Sequence, residues 1–226
     1  PKSLKLRQEM PPQTTPLPVH GASVTVFDRF GDKRGFFQEL YNEQKYDIQR
    51  KEPEWQQVSF SKSEKNALRG LHCSPYGKFI TCVRGAFYDV IADFREDSPT
   101  FGRWCGVLLT EDNRKQVYVP AKCGHGFFVH EDDTCALYLQ GGCYNGANEA
   151  DTHPHDPLFN VAWPIPAGVT PIMSPKDTAA PTLAVYRPHL SAAVPRGRIL
   201  VIGGSGQVGG ALIDAFGARN CVGTYS

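Results

Sequence analysis

No apolar run in this 226-residue chain approaches the ~18 residues a helix needs to cross a bilayer, and no block of like charge disturbs its balance of 24 Lys+Arg against 23 Asp+Glu. The first absence argues against a membrane span. The second leaves no electrostatic footprint for nucleic acid or an anionic surface. The stretch up to Ala22 lacks the apolar centre of a signal peptide, so the expected address is cytoplasmic. The seven cysteines contain no C-x-x-C or knuckle spacing, which makes reduced, mostly buried thiols the expectation rather than a disulfide framework or structural metal. Long helical periodicity is also scarce, while 22 Gly and 18 Pro punctuate the chain with turns. What remains is a mainly β globular protein whose partners are small molecules.

From Ala22 onward, short runs rich in Val, Ile, Tyr, Phe and Thr recur between turn signals: SVTVF, WQQVSFS, KFITCV, AFYDVIADF, CGVLLT, KQVYVP, GFFVHE and CALYLQ. They read as strands of a sandwich, jelly roll or barrel. Arg84-Gly85 reads as a tight hairpin between two of them. Residues 1–21 read as an N-terminal arm, 22–190 as the β domain and 191–197 as a linker. Within the domain, the Pro- and Asp-rich stretch from Asp151 to about His189 reads as a wrap on the outside of the β body. His153-Pro154-His155-Asp156 in that wrap reads as a solvated loop, since an enclosed metal site needs three or four convergent ligands.

At Gly197 the pattern changes. Residues 198–226 read as strand, glycine turn, amphipathic helix and the start of a second strand, an incomplete Rossmann-like βαβ fragment. Gly203, Gly206 and Gly209 form G-x-x-G-x-x-G between strand and helix, where backbone N–H groups can approach a pyrophosphate. One such unit cannot complete a dinucleotide site, so NAD(P) is expected to bind only if the domain were complete.

Polar residues that interrupt strand patterns are the candidates for chemistry. His72 in ALRGLHC is one, and any single histidine is most simply a core residue satisfied by a backbone carbonyl. Lys78, His125 in CGHGFF and Tyr138 in CALYLQ change that reading if the strands line one cavity, because they would bring together a base, a cation and a phenol. Such a set suits proton abstraction beside a carbonyl. The α-proton of a ketone has a pKa of roughly 19 against about 6.5 for histidine, a gap on the order of 17 kcal/mol. A fixed cation at the developing enolate must close most of it. A phenol on the opposite face can then return the proton and invert the carbon.

The ordered motifs FGDKRGFFQE (Phe30 to Glu39), SKSEKNALRGLH (Ser61 to His72), SPTFGRW (Ser98 to Trp104), VYVP…GHGF (Val117 to Phe127) and MSPKDTAAP (Met173 to Pro181) resemble the dTDP-4-dehydrorhamnose 3,5-epimerase family. The resemblance spans about Val24 to Leu183, and the tail resembles the N-terminus of dTDP-4-dehydrorhamnose reductase. It implies a cupin-type jelly roll, usually a homodimer, that needs no cofactor or metal for epimerisation. It also implies the roles. His72 is the base, Asp177 its carboxylate partner, Lys78 the oxyanion cation and Tyr138 the acid. Arg34 and Arg69 hold the nucleotide diphosphate, and Gln57, Glu39 and His125 are further pocket positions. Three features depart from the family: the loop between His72 and Lys78 is several residues shorter than usual, Tyr138 is followed by Leu139, Gln140 and two glycines where the family commonly has Lys and a Thr-containing stretch, and Cys143-Tyr144 replaces a paired tyrosine.

The implied activity is 3,5-epimerisation of a dTDP- or UDP-linked 4-keto-6-deoxyglucose. A C3-only epimerase would retain His72 and Asp177. A non-catalytic sugar-nucleotide-binding module would need Arg34 and Arg69 but not the base and its partner. A metal-dependent cupin oxygenase would need three facing ligands.

Overall fold

The computed structural model describes residues 13–42, 52, 54–146, 150–186, 199–202 and 221–224. In chain order its first strands are β1 (Gln13–Pro16), β2 (Ser23–Val26), β3 (Arg29–Asp32), β4 (Gly35–Gln38), β5 (Gln57–Ser63), β6 (Leu68–Cys73) and β7 (Lys78–Arg84). These are followed by β8 (Ala86–Asp93), β9 (Trp104–Thr110), β10 (Lys115–Val119), β11 (Cys123–Val129) and β12 (Thr134–Gln140). One sheet has the order β1-β2-β10-β7-β12-β5 and the other β6-β11-β8-β9, with antiparallel pairing throughout both.

The expectation of a mainly β fold holds, and each predicted run contains a strand. The expected hairpin at Arg84-Gly85 is corrected. β7 pairs with β10 and β12, whereas β8 pairs with β9 and β11, so the chain crosses between sheets there. A tight hairpin keeps its two strands hydrogen-bonded to each other through a two-residue turn. Here Gly85 alone separates them, at φ 75°, and its N–H is held by Glu111 Oε2 at 3.0 Å. Of the arm expected over residues 1–21, the described part holds β1, which pairs with β2 at the sheet edge. The β3–β4 hairpin and β6 were not among the predicted runs, since RFGD, GFFQ and LRGLHC carry glycine or charge inside a strand.

β8 shows why the two sheets pack as layers. All its residues are buried. Phe87 and Ile91 face the core shared by the sheets, where they meet Val24, Ile80, Val117 and Ala136. Tyr88 and Val90 face outward into a second apolar layer with Phe159, Val161, Trp163 and Leu183. The 150–186 segment therefore supplies the cover of the four-stranded sheet, as the wrap expectation required.

The solvated-loop reading of 153–156 is corrected. Asp156 is buried, and its carboxylate accepts the N–H groups of Leu158 at 2.8 Å and Leu183 at 2.6 Å. Trp163 Nε1–H donates to the Pro154 carbonyl. Among the described residues no group of His, Cys, Asp and Glu is arranged to hold a metal ion, and no helix is long and apolar enough to cross a membrane.

Strands β13 (Ile199–Ile202) and β14 (Cys221–Thr224) pair in parallel. Gly203, Gly206 and Gly209 lie outside the described residues.

Acid sensitivity of the fold follows from His130. Its Nε2 is buried without a hydrogen-bond partner, and burial, aided by Lys65, pushes its pKa down to about 4. Above about 6.5 the ring is neutral whether the chain is folded or not. As pH falls from about 6.5 toward 4 the unfolded chain takes up the proton first, so stability drops over that window. His130→Phe is expected to lose less melting temperature between pH 7.5 and 5 than the parent does, measured by calorimetry.

Candidate active site

Gly70 decides which side chains share the space between the sheets. In a regular strand Arg69 and His72 would project to opposite faces. β6 and β11 instead change register, pairing Arg69 with Phe127 and His72 with His125, so Gly70 and Leu71 oppose Gly126 alone. This bulge turns both Arg69 and His72 toward the interior. It requires glycine: Gly70 sits at φ 111°, and a Cβ there would lie 2.6 Å from Gly126 Cα.

The interior holds a cavity of ≈ 440 Å³ lined by His72, Asp177, Tyr138, Lys78, Arg69, Gln57 and His125 among others. Seven of the nine residues expected for catalysis and substrate binding thus come together. Asp177 arrives from the short helix α1 (Pro175–Thr178). Ser174 caps that turn by accepting the Asp177 N–H at 3.0 Å, and Pro175 begins it with a fixed φ. The SPKD motif is therefore a device for presenting one carboxylate. Asp177 Oδ1 lies 2.7 Å from His72 Nε2, and Oδ2 accepts the Gly70 N–H at 3.5 Å. Burial raises the carboxyl pKa, but the His72 contact outweighs it and, with Gly70 N–H, holds the group below the usual carboxylate range.

A second imidazole–carboxylate pair stands beside the first. His125 is the cross-strand partner of His72, and its Nε2 lies 2.6 Å from Asp89 Oδ1. Both residues are buried. Burial pushes the His125 pKa down despite the opposing pull of Asp89, while Lys78 and His72 push it the same way as burial. Asp89 was missed in the sequence, although an acid in the middle of AFYDVIADF was a visible signal.

Tyr138 reaches the cavity from the facing sheet. Its hydroxyl is 3.1 Å from Ser61 Oγ, and desolvation pushes its pKa up to about 12. The phenol is therefore protonated at neutral pH and can donate. Lys78 is buried at the first position of β7, alongside Gln140 in the ladder. Strand β5 turns Gln57, Ser59, Ser61 and Ser63 inward, and of this polar period-two run sequence reading missed the three serines. At the mouth, Lys176 Nζ lies 2.5 Å from Asp151 Oδ2 and 3.5 Å from the Tyr144 hydroxyl. All three line the cavity.

Arg34 and Glu39 do not line it. Arg34 is exposed at the β3–β4 turn, where its guanidinium pairs with Asp32. It lines a separate depression with Phe30, Phe36 and Phe37. Glu39 accepts from Asn42 Nδ2 at 3.1 Å just beyond β4. Within one chain, neither residue lines the cavity. The SPTFGRW motif also serves the fold, since Ser98, Thr100 and Arg95 enclose buried Asp93 at 2.5, 2.6 and 2.8 Å.

The second pair yields a spectroscopic expectation. His125 should remain neutral, with its proton on Nε2, at pH values where an ordinary histidine of pKa about 6.5 is half charged. Nitrogen-15 NMR of the imidazoles should show this in the parent and show loss of the fixed tautomer in Asp89→Leu. A His125 that titrates normally in the parent would overturn it.

Comparison with known proteins gives these features a family. The sequence profile of dTDP-4-dehydrorhamnose 3,5-epimerase matches residues 16–185. The dTDP-4-dehydrorhamnose 3,5-epimerase of Streptomyces griseus is 38% identical over 179 residues, covering 75% of this chain and 86% of the relative. The dTDP-4-dehydrorhamnose 3-epimerase of Streptomyces niveus is 36% identical over 177 residues, with coverage of 76% and 84%. A crystal structure of the Legionella pneumophila 3,5-epimerase in complex with dTDP-4-keto-L-rhamnose superposes with a TM-score of 0.73 at 32% identity, covering 82% of this chain and 98% of that one. With the profile matching well over half of its length, this chain belongs to the dTDP-4-dehydrorhamnose 3,5-epimerase family and is an isomerase.

Proposed function

We propose that the chain inverts C3 and C5 of dTDP-4-keto-6-deoxyglucose by stepwise proton transfer. The observation that carries this reading is the placement of His72 with its carboxylate on one sheet and a protonated Tyr138 on the facing sheet, around one cavity. His72 gives its Nε2–H to Asp177, which leaves Nδ1 as the basic nitrogen and stabilises the imidazolium once a proton is taken. The C4 carbonyl acidifies the protons on both neighbouring carbons. Lys78 holds the enolate oxygen with its ammonium, and the dry surroundings strengthen that interaction. Tyr138 returns a proton from the opposite face, so configuration inverts rather than being restored. Arg69 and Gln57 hold the diphosphate side of the substrate, with Arg69 anchored by Ser63 Oγ at 3.0 Å. The proton moves are made by side chains, and the reaction calls for no cofactor.

The Streptomyces niveus relative supports a second reading, inversion at C3 alone. The two differ in the number of solvent hydrogens carried into product.

We infer also that the working unit is a dimer in which a second copy brings Arg34 and Glu39 to the cavity that their own chain leaves without them. The support is apolar exposure on the same elements. Phe36 and Phe37 are 63% and 68% exposed on the β3–β4 hairpin, and Val58 and Phe60 are 65% and 62% exposed on β5, an edge strand. Such surface is costly to leave in water and favours association. For residues 198–226 the reading as the opening of a dinucleotide-binding unit rests on the parallel register of β13 and β14. Parallel neighbours need a crossover of a dozen or more residues, and 203–220 provides that length.

Proton NMR in deuterium oxide with the dTDP- and UDP-linked substrates tests the first reading. Two deuterons per product are expected, with one deuteron favouring C3 inversion alone. His72→Ala should lower the exchange rate about 10²- to 10⁴-fold, with nucleotide affinity little changed. Tyr138→Phe should retain exchange better than net inversion. Near-normal exchange in His72→Ala removes it as the base.

The dimer is tested by light scattering. Phe37→Asp combined with Phe60→Asp should halve the molar mass and reduce activity, with folding retained by circular dichroism. An unchanged mass, or full activity as a monomer, overturns it.

A further inference from the structure

The loop that joins β6 to β7, residues 74–77, connects the proposed base to the proposed oxyanion cation in only four residues. A short connection leaves little of its own to fix the peptide that carries Lys78. The structure supplies an external hold. Gly77, immediately before Lys78, donates its N–H to Glu52 Oε1 at 3.1 Å, and its carbonyl accepts the Gly141 N–H at 3.0 Å. The same Glu52 oxygen accepts the Tyr118 hydroxyl at 2.8 Å. Tyr118 packs on Phe79 with ring centroids 5.1 Å apart, and Phe79 packs on Trp55 at 4.9 Å. The carboxylate is thus fixed to an aromatic layer on the outer face of the six-stranded sheet, while Lys78 projects from the inner face.

Space has been kept for it. A Cβ on Gly77 would overlap the Glu52 carboxylate, and one on Gly141 would lie 2.6 Å from Glu52 Cγ. Two glycines at the adjoining ends of β7 and β12 therefore open a slot that Glu52 fills. Glu52 does not line the cavity and cannot meet the substrate there. Its influence passes through the Gly77–Lys78 peptide.

We propose that Glu52 is a positioning residue for Lys78, seating the start of β7 from outside the sheet so that the ammonium meets the enolate oxygen. The proposal rests on the assignment of Lys78 as the oxyanion cation. A misplacement of about 1 Å at a reacting group can cost ~10²-fold in rate. Loss of the seat should therefore lower turnover and leave ground-state binding intact.

The test is a double-mutant cycle with steady-state kinetics and deuterium exchange, using the full chain and the dTDP-linked keto sugar. Glu52→Ala is expected to lower kcat about tenfold or more with KM within about twofold, and Glu52→Gln, which keeps an acceptor for the Gly77 N–H, should recover most of the loss. In a Lys78→Ala background, Glu52→Ala should have no further effect on the residual rate, because the group it positions is gone. Melting temperature checks each variant for folding, and the glutamine variant keeps the test informative if alanine unfolds the chain. Normal kcat in Glu52→Ala, or an equal loss in the parent and Lys78→Ala backgrounds, overturns the proposal while Lys78 keeps its role. Full activity in Lys78→Ala removes the oxyanion assignment itself and the proposal with it.

Discussion

Arg69 and His72 lie three residues apart on one strand, a spacing that regular β geometry sends to opposite faces. The bulge at Gly70-Leu71 cancels that alternation. The site depends on this because the bulge brings the Arg69 guanidinium and the His72 imidazole into one cavity. Placing them on one strand fixes their separation by covalent geometry rather than by loop conformation. The bulge also turns the Gly70 N–H toward Asp177, so the distortion that turns His72 inward contributes a hydrogen bond to the carboxylate paired with it. One irregularity in the backbone thus sets three elements of the site together.

Around that frame, buried charge is handled in pairs. An isolated carboxylate in a protein interior would be protonated or would destabilise the fold. Asp177 has His72 and a backbone N–H, Asp89 has His125, and Asp93 has Arg95, Ser98 and Thr100. Burial alone would raise the pKa values of Asp177 and Asp93, yet in both the hydrogen bonds prevail and lower them. The histidine beside Asp89 goes the other way, because its surroundings are apolar and two further basic groups face it. The two neighbouring imidazoles differ in burial. His72 has a side chain 35% exposed, against 4% for His125.

Strand composition made the mainly β body legible, since runs such as AFYDVIADF bury both faces and need no alternation to identify them. The motifs also led to His72, Asp177, Tyr138, Lys78, Arg69, Gln57 and His125, which one cavity gathers. Sheet membership was less legible. Arg84-Gly85 has the composition of a hairpin, and only the long-range partners of β7 and β8 reveal a crossing between sheets. Asp156 was misread because a proline-bearing polar stretch has no local mark of burial; its partner Leu183 is distant in sequence. Arg34 and Glu39 were carried into the pocket by their motif, but a motif preserves residue type and does not say which surface or which copy supplies it. Ser61 escaped notice because a serine that matters through one hydroxyl contact looks like any other strand serine.

The lining of the cavity also has a consequence for the outside of the molecule. Gln57 and Ser59 put hydrogen-bonding groups into the cavity from the inner face of β5, and Ser61 on the same face meets the Tyr138 hydroxyl. Alternation then sends Val58 and Phe60 outward, reversing the ordinary arrangement of apolar inside and polar outside. On a central strand such residues could be covered by a neighbouring layer of the same chain. β5 is the last strand of its sheet among the described residues, so no further described strand covers its outer edge. The β3–β4 hairpin exposes apolar surface too, with Phe36 and Phe37 lining the same depression as Arg34. The polar pocket lining and the exposed apolar face therefore arise from the same seven-residue strand.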